Sequence, residues 1–269
     1  MKWQGFHHPD FCAEVIGRKV TLHLLTLLDG MATILLTRGR SVFWSHGDPN
    51  RISYEAALAR LRRRGLIACR RTRGHAPVLN ILPKAEEHLP VEARPEKLWN
   101  RDWNGLWYVL SYDVPEAQKS YRENLRRFLK RNRMGGLHAS VWITPQDIRA
   151  LYSDLVEAGG LGEYAVLLES RTVLGQDARE LVLRAWDFHR LDRAQEWFCQ
   201  TCAEALDRIE TGALSAGDLT ALARDAATAY YAVMEPDPLL PRSLWPRGYL
   251  GPDTVCAFRG LLHAVANAP

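Results

Sequence analysis

The chain has 269 residues, 47% of them apolar and 25% charged, with a formal net charge of +4. That length accommodates two or three domains with cores of their own, and the composition excludes a largely disordered chain. No apolar run approaches the ~20 residues of a helical membrane span, and the N-terminal MKWQGFHHPDFC lacks a signal-peptide core, so a cytoplasmic protein without a membrane partner is expected.

The first segment, 1–90, opens with VTLHLLTLLDG (20–30), a short apolar helix that stops at Gly30. GRSVFWSHGDPNR (39–51) reads as a loop, with Gly47, Pro49 and Asn50 as breakers. A helix follows, with Ser53 as N-cap and Tyr54, Leu58 and Leu61 as its buried seam. Gly65 ends it as a C-cap. LIACRRT (66–72) and PVLNIL (77–82) read as two strands around the turn RGHA. Between Arg51 and His75 lie eight arginines against one acid, Glu55. Such an excess suits a polyanionic partner, or simply a solvated basic face.

Helix, glycine and basic hairpin in this order make the pattern of a winged helix-turn-helix. A recognition helix would offer its N-terminal half to the major groove, and the hairpin tip would lay arginines along phosphates. The candidate DNA contacts are Arg51, Ser53, Tyr54, Arg60 and Arg63 on the helix, and Arg70, Arg71, Arg73 and His75 on the wing. The alternative is a small α+β module that uses the same shape to pack against a neighbour.

LPVEARPEKLWNRDWNG (89–105) reads as a linker, assigned to 91–104. The middle domain, 105–176, begins with the strand LWYVLSYDVP (106–115). A helix over 117–134 has Tyr121, Leu125, Phe128 and Leu129 on one side. The other side carries Arg122, Arg126, Arg127, Lys130, Arg131 and Arg133. GLHASVWITP (136–145) is a second strand, 145–159 a helix starting at a proline, and EYAVLLES (163–170) a third strand. The order β-α-β-α-β in short units predicts a ferredoxin-like sheet. Arg122, Arg126, Lys130 and Arg133 are candidate contacts to the phosphates of a nucleic acid or of an effector. Trp99, Trp103, Trp107 and Tyr108, clustered at the linker and first strand, are expected to form an inter-domain core, or to wall an effector pocket between domains.

The last segment, 177–269, is helical. Leu191, Ala194, Phe198, Cys202, Ala205 and Ile209 make one apolar stripe, and Leu219, Leu222, Ala226, Tyr230 and Val233 another. The proline-rich EPDPLLPRSLWPRGYLGPD (235–253) separates them from a final helix. CQTC (199–202) lacks the two further ligands zinc needs, so Cys202 is placed in the core. The predicted fold class is therefore α+β: an N-terminal winged helix-turn-helix, a ferredoxin-like middle domain and a helical C-terminal domain.

Catalytic motifs are absent from the sequence: there is no phosphate-binding G-x-x-x-x-G-K-[ST], no H-E-x-x-H and no G-x-S-x-G. The case for an enzyme rests on Asp113, at the end of the first middle-domain strand. A nuclease would need further acids beside it to hold Mg²⁺. Asp187 and Glu169 lie near element ends, but no spacing forces either toward Asp113. The simpler reading makes Asp113 a helix-start residue before Pro115, with Glu116 reinforcing the negative first turn. No catalytic residue and no cofactor is expected, and Asp113 is the sole, weak metal candidate.

Three passages resemble the PaaX family of bacterial repressors of phenylacetate catabolism. SYEAALARLRRRGLI resembles its recognition helix. LWYVLSYDVPEAQKSYRENLRRFLKRNRMGGLHASVWITP resembles its middle domain, and RAWDF and DPLLPRSLWP its C-terminal signatures. The resemblance implies a homodimeric repressor that binds a double-stranded DNA operator and leaves it when an aryl-acyl-CoA binds. The middle domain is also similar to the small ferredoxin-like protein of CRISPR adaptation, in which an aspartate ends the first strand as Asp113 does here. That likeness keeps an alternative open: a metal-dependent nuclease-like protein, or a nucleic-acid-binding subunit of a larger assembly.

Overall fold

A computed structural model of the chain describes residues 59, 62–70, 78–82, 91–159, 161–171 and 177–268. The helix expected at 20–30, the loop at 39–51 and most of the helix expected at 53–64 lie outside the described residues. The chain divides into two compact units that are not consecutive in sequence. One comprises Met1–Arg94, Arg193–Glu235 and Leu250–Pro269, the other Pro95–Asp192 and Pro236–Tyr249.

In the first unit, Arg62 and Arg63 are helical and the helix stops at Gly65. Gly65 has φ +67° and donates its N–H to Arg62 O at 2.9 Å. This is the left-handed closure a glycine adopts without a Cβ penalty. Strands β1 (Ile67–Arg70) and β2 (Val78–Ile81) then pair antiparallel, Ile67 opposite Ile81 and Arg70 opposite Val78.

The second unit opens with a short helix, α1 (Glu96–Trp99), in the stretch read as a linker, and Trp99 is only 2% exposed. Then come β3 (Trp107–Tyr112), α2 (Lys119–Arg131), β4 (Gly135–His138), β5 (Val141–Thr144), α3 (Arg149–Gly159) and β6 (Ala165–Ser170). The single strand expected over 136–145 is in fact a hairpin, with Ala139 and Ser140 as its turn. The sheet order is β4-β5-β3-β6, with every neighbouring pair antiparallel. With the extra strand, the order becomes β-α-β-β-α-β, the ferredoxin-like arrangement.

The alternation of β3 decides its faces. Tyr108, Leu110 and Tyr112 point into a core shared with Leu125 and Leu129 of α2 and with Ile148 ahead of α3. Trp107, out of phase with them, is covered by Trp103, ring centroids 5.2 Å apart.

Four more helices follow: α4 (Ala178–Ala185), α5 (Phe188–Glu210), α6 (Ala216–Met234) and α7 (Gly251–Asn267). Both α4 and α6 start with reciprocal capping boxes, Asp177 with Glu180 and Ser215 with Asp218. Every residue of the two expected stripes is buried. Within the first unit, Tyr230 of α6 stacks on Phe258 of α7, centroids 4.2 Å apart, and packs beside Phe198 of α5. Cys202 is fully buried and burial pushes its thiol up to about 12, so it is a core residue rather than a nucleophile. Among the described residues, no helix is long and apolar enough to cross a membrane.

Candidate nucleic-acid interface

Three consecutive arginines, Arg62, Arg63 and Arg64, are exposed where the helix ends at Gly65 and the hairpin begins. Of the residues expected to touch DNA, Arg63 stands on this exposed turn and Arg70 ends β1. Arg51, Ser53, Tyr54, Arg60, Arg71, Arg73 and His75 lie outside the described residues. Arg62 and Arg64 share the exposed turn with Arg63, which helical periodicity alone did not indicate, because the chain leaves the helix there.

The four candidate phosphate contacts near α2 have different environments. The Arg122 guanidinium donates to both carboxylate oxygens of Glu116, at 2.6 and 3.1 Å. That hydrogen-bonded charge holds the Glu116 carboxyl below its ordinary range. Arg126 donates to Ala139 O at 3.1 Å and its Nε approaches the Tyr112 hydroxyl at 3.4 Å. Tyr112 donates to the same carbonyl at 3.1 Å, so both residues brace the β4–β5 turn.

Arg133 is not on the face of α2. It lies beyond the helix, after Asn132, at φ +60°, and its guanidinium donates to the carbonyl of Asp237. Only Lys130 of the four is exposed, and Arg127 and Arg131 are exposed on the same helix. Periodicity places side chains on a helix face, but which cations are taken up inside the protein depends on partners distant in sequence.

The two C-terminal signatures meet at Arg133. Trp186 of RAWDF donates its indole N–H to Arg133 O at 3.1 Å. In DPLLP, the fully buried Asp237 accepts from Leu239 N at 2.8 Å and from the Tyr249 hydroxyl at 2.6 Å. Leu239 itself sits at φ +48°, an uncommon conformation for a residue with a Cβ, here held by the Asp237 side chain. These signatures build and lock a turn at the end of the sheet.

Asp113 is exposed, and its backbone N–H donates to Tyr164 O at 2.7 Å. Its expected capping role does not hold. Pro115 takes the N-cap position of the 3-10 turn Glu116–Gln118, and no side chain caps that turn. The prolyl ring presets the dihedral, so the turn starts without a carboxylate cap. Among the described residues, no group of three or more His, Cys, Asp or Glu side chains is placed to hold a metal ion.

Residues 100–182, which carry the sheet, α2 and α3, match the family model described as the PaaX protein central Cas2-like domain. This stretch of the chain is similar to the central domain of the PaaX family. The matched stretch lies wholly within the second unit and supports PaaX-family membership. No curated protein matches the chain. Among solved structures, the uncharacterized protein Rv0674 from Mycobacterium tuberculosis has a similar fold. The TM-score is 0.50 at 17% identity, over 93% of this chain and 96% of that one.

Proposed function

We propose that this chain is a ligand-responsive transcriptional repressor of the PaaX kind. It acts in the cytoplasm as a homodimer, binds a double-stranded DNA operator, and is released by an aryl-acyl-CoA or related effector. It is not an enzyme and needs no cofactor. The observation that carries the reading is the PaaX central domain at residues 100–182. The exposed Arg62, Arg63 and Arg64 ahead of an antiparallel hairpin support it, because a helix end and wing rich in arginine suit phosphate contacts. Val166 and Leu168, 55% and 54% exposed on the edge strand β6, are apolar surface that a second copy would cover.

The test is binding to the DNA upstream of the chain's own gene, measured across a range of salt concentrations. Replacing Arg60, Arg63 and Arg71 together with alanine is expected to abolish binding while the unfolding midpoint stays put. Unchanged affinity in that variant refutes the reading.

A second reading, a metal-dependent nuclease, draws on the Cas2-like character of the matched domain and on the exposure of Asp113 after β3. It requires Mg²⁺-dependent cleavage that Asp113→Asn removes without loss of nucleic-acid binding. Absence of cleavage by the parent protein ends it.

A further inference from the structure

Within the second unit, the loop that links α1 to β3 and the 3-10 turn Arg242–Leu244 border an open cleft of about 520 Å³. That volume lies in the range of small-molecule sites, roughly 300–1,000 Å³. Two arginines line it, Arg101 and Arg242, with two indoles, Trp99 and Trp103.

Neither arginine has an acidic partner: the ion pairs among the described residues involve other side chains. Arg101 is half-buried, and its Nε is shielded from solvent without a hydrogen-bond acceptor. Its terminal nitrogens reach Gln146 at 3.1 and 3.3 Å once that amide turns its oxygen toward them. A neutral amide satisfies two donors but leaves the charge unbalanced. Desolvation accordingly lowers the Arg101 pKa from its ordinary value. Arg242 is exposed, its guanidinium carbon 5.4 Å from the centroid of Trp245. Asp102 is the only acid on the lining; it is exposed and pairs with neither arginine.

The indole walls are held independently of any ligand. Trp103 donates to Leu106 O at 2.8 Å and packs on Trp107. Trp99 meets Trp245 edge-on, centroids 5.6 Å apart, and Trp245 donates to Leu240 O at 2.8 Å. A guanidinium presents a planar fork of donors that fits the oxygens of a carboxylate or phosphate, and an indole beside it favours a planar apolar group.

We propose that this cleft binds a small organic anion, an aromatic group bearing a carboxylate or phosphate, with Arg101 and Arg242 on the anionic end and Trp103 against the ring. If the chain is the ligand-responsive repressor proposed above, this is where the charged part of its effector binds, and that step alone rests on that reading.

The experiment titrates the full chain with phenyl phosphate and, separately, with benzoate, reading calorimetric heat and tryptophan fluorescence. Saturable binding of at least one probe is expected. The probe with the higher affinity identifies which anion the fork prefers. Arg242→Gln, at an exposed position that leaves folding intact, is expected to weaken binding about tenfold or more, a loss that matches one charge-assisted contact. Arg101→Gln is expected to do the same, with its unfolding midpoint measured alongside. Arg179→Gln, exposed on α4 outside the cleft, should bind like the parent. No saturable binding of either probe, or equal affinity in Arg242→Gln and the parent, overturns the proposal. DNA binding followed in the same titration separates the two readings. Probe binding without any change in DNA affinity supports the cleft and counts against the effector role. Absence of DNA binding by the parent before any probe is added refutes the repressor and leaves the cleft standing.

Discussion

Gly135 opens β4, and a methyl group there would have no room. A Cβ built on it lies 2.7 Å from Ala185 Cβ and 2.7 Å from two ring atoms of Trp186. Carbon atoms pack at about 3.5–4.0 Å, so Gly135→Ala must open roughly 1 Å of space at three points. None of the obstructing atoms is the end of a flexible chain. Ala185 Cβ is fixed to α4, which is anchored by Leu181 and Val182 at 2% and 0% exposure. The Trp186 ring is tied to Arg133 O. Overpacking of this kind costs about 1–3 kcal/mol. Should the indole swing away, losing its hydrogen bond adds about 1–3 kcal/mol more. A total of roughly 2–6 kcal/mol lowers the thermal midpoint of a chain of this size by about 4–24 °C. Scanning calorimetry of the parent and Gly135→Ala measures this directly. A double-mutant cycle with Trp186→Leu sharpens it, because the smaller side chain should recover part of the loss. A midpoint within 1 °C of the parent (~0.3 kcal/mol) refutes the packing argument, as does strict additivity in the cycle.

Two further outcomes follow from buried groups. Burial, and then the neighbouring Asp237 carboxylate, raise the Tyr249 pKa above its free value. The folded chain therefore holds that proton more tightly, so this stabilisation is complete below about pH 10 and declines as the pH rises past it. Tyr249→Phe should cost about 1.5–3 kcal/mol near neutral pH and flatten the alkaline loss, read from urea midpoints between about pH 8 and 11. An unchanged alkaline slope counts against the Tyr249–Asp237 pair. Among Cys199, Cys202 and Cys256, the exposed Cys256 should alkylate first under native conditions and the buried Cys202 only on unfolding, with peptide mass mapping as the readout. Labelling of Cys202 at the rate of Cys256 would show that the α5 core is open.

Much of the helical part was legible in the sequence because helices are local. The stripes on α5 and α6 follow from a 3.6-residue period, and each of their residues is buried. Gly65 closes its helix at positive φ for the same local reason. Sheet pairing is not local, and the reading failed there in one place. The run from 136 to 145 contains no Asn-Gly or Asp-Gly signal, and neither Ala139 nor Ser140 adopts positive φ, so nothing in the run itself announced a turn. The turn is held instead by Tyr112 and Arg126, 27 and 13 residues from Ala139.

The basic residues divide the same way. The sequence by itself determined where arginines concentrate, which stretches form helices, and that Asp113 follows the first sheet strand. Only the tertiary structure decided that Arg122 is paired with Glu116, that Arg126 and Arg133 donate to carbonyls of distant segments, and that Arg101 and Arg242 line one cleft in which the exposed Asp102 pairs with neither. Charge density is a sum over residue types, whereas the availability of a charge depends on what the fold packs against it.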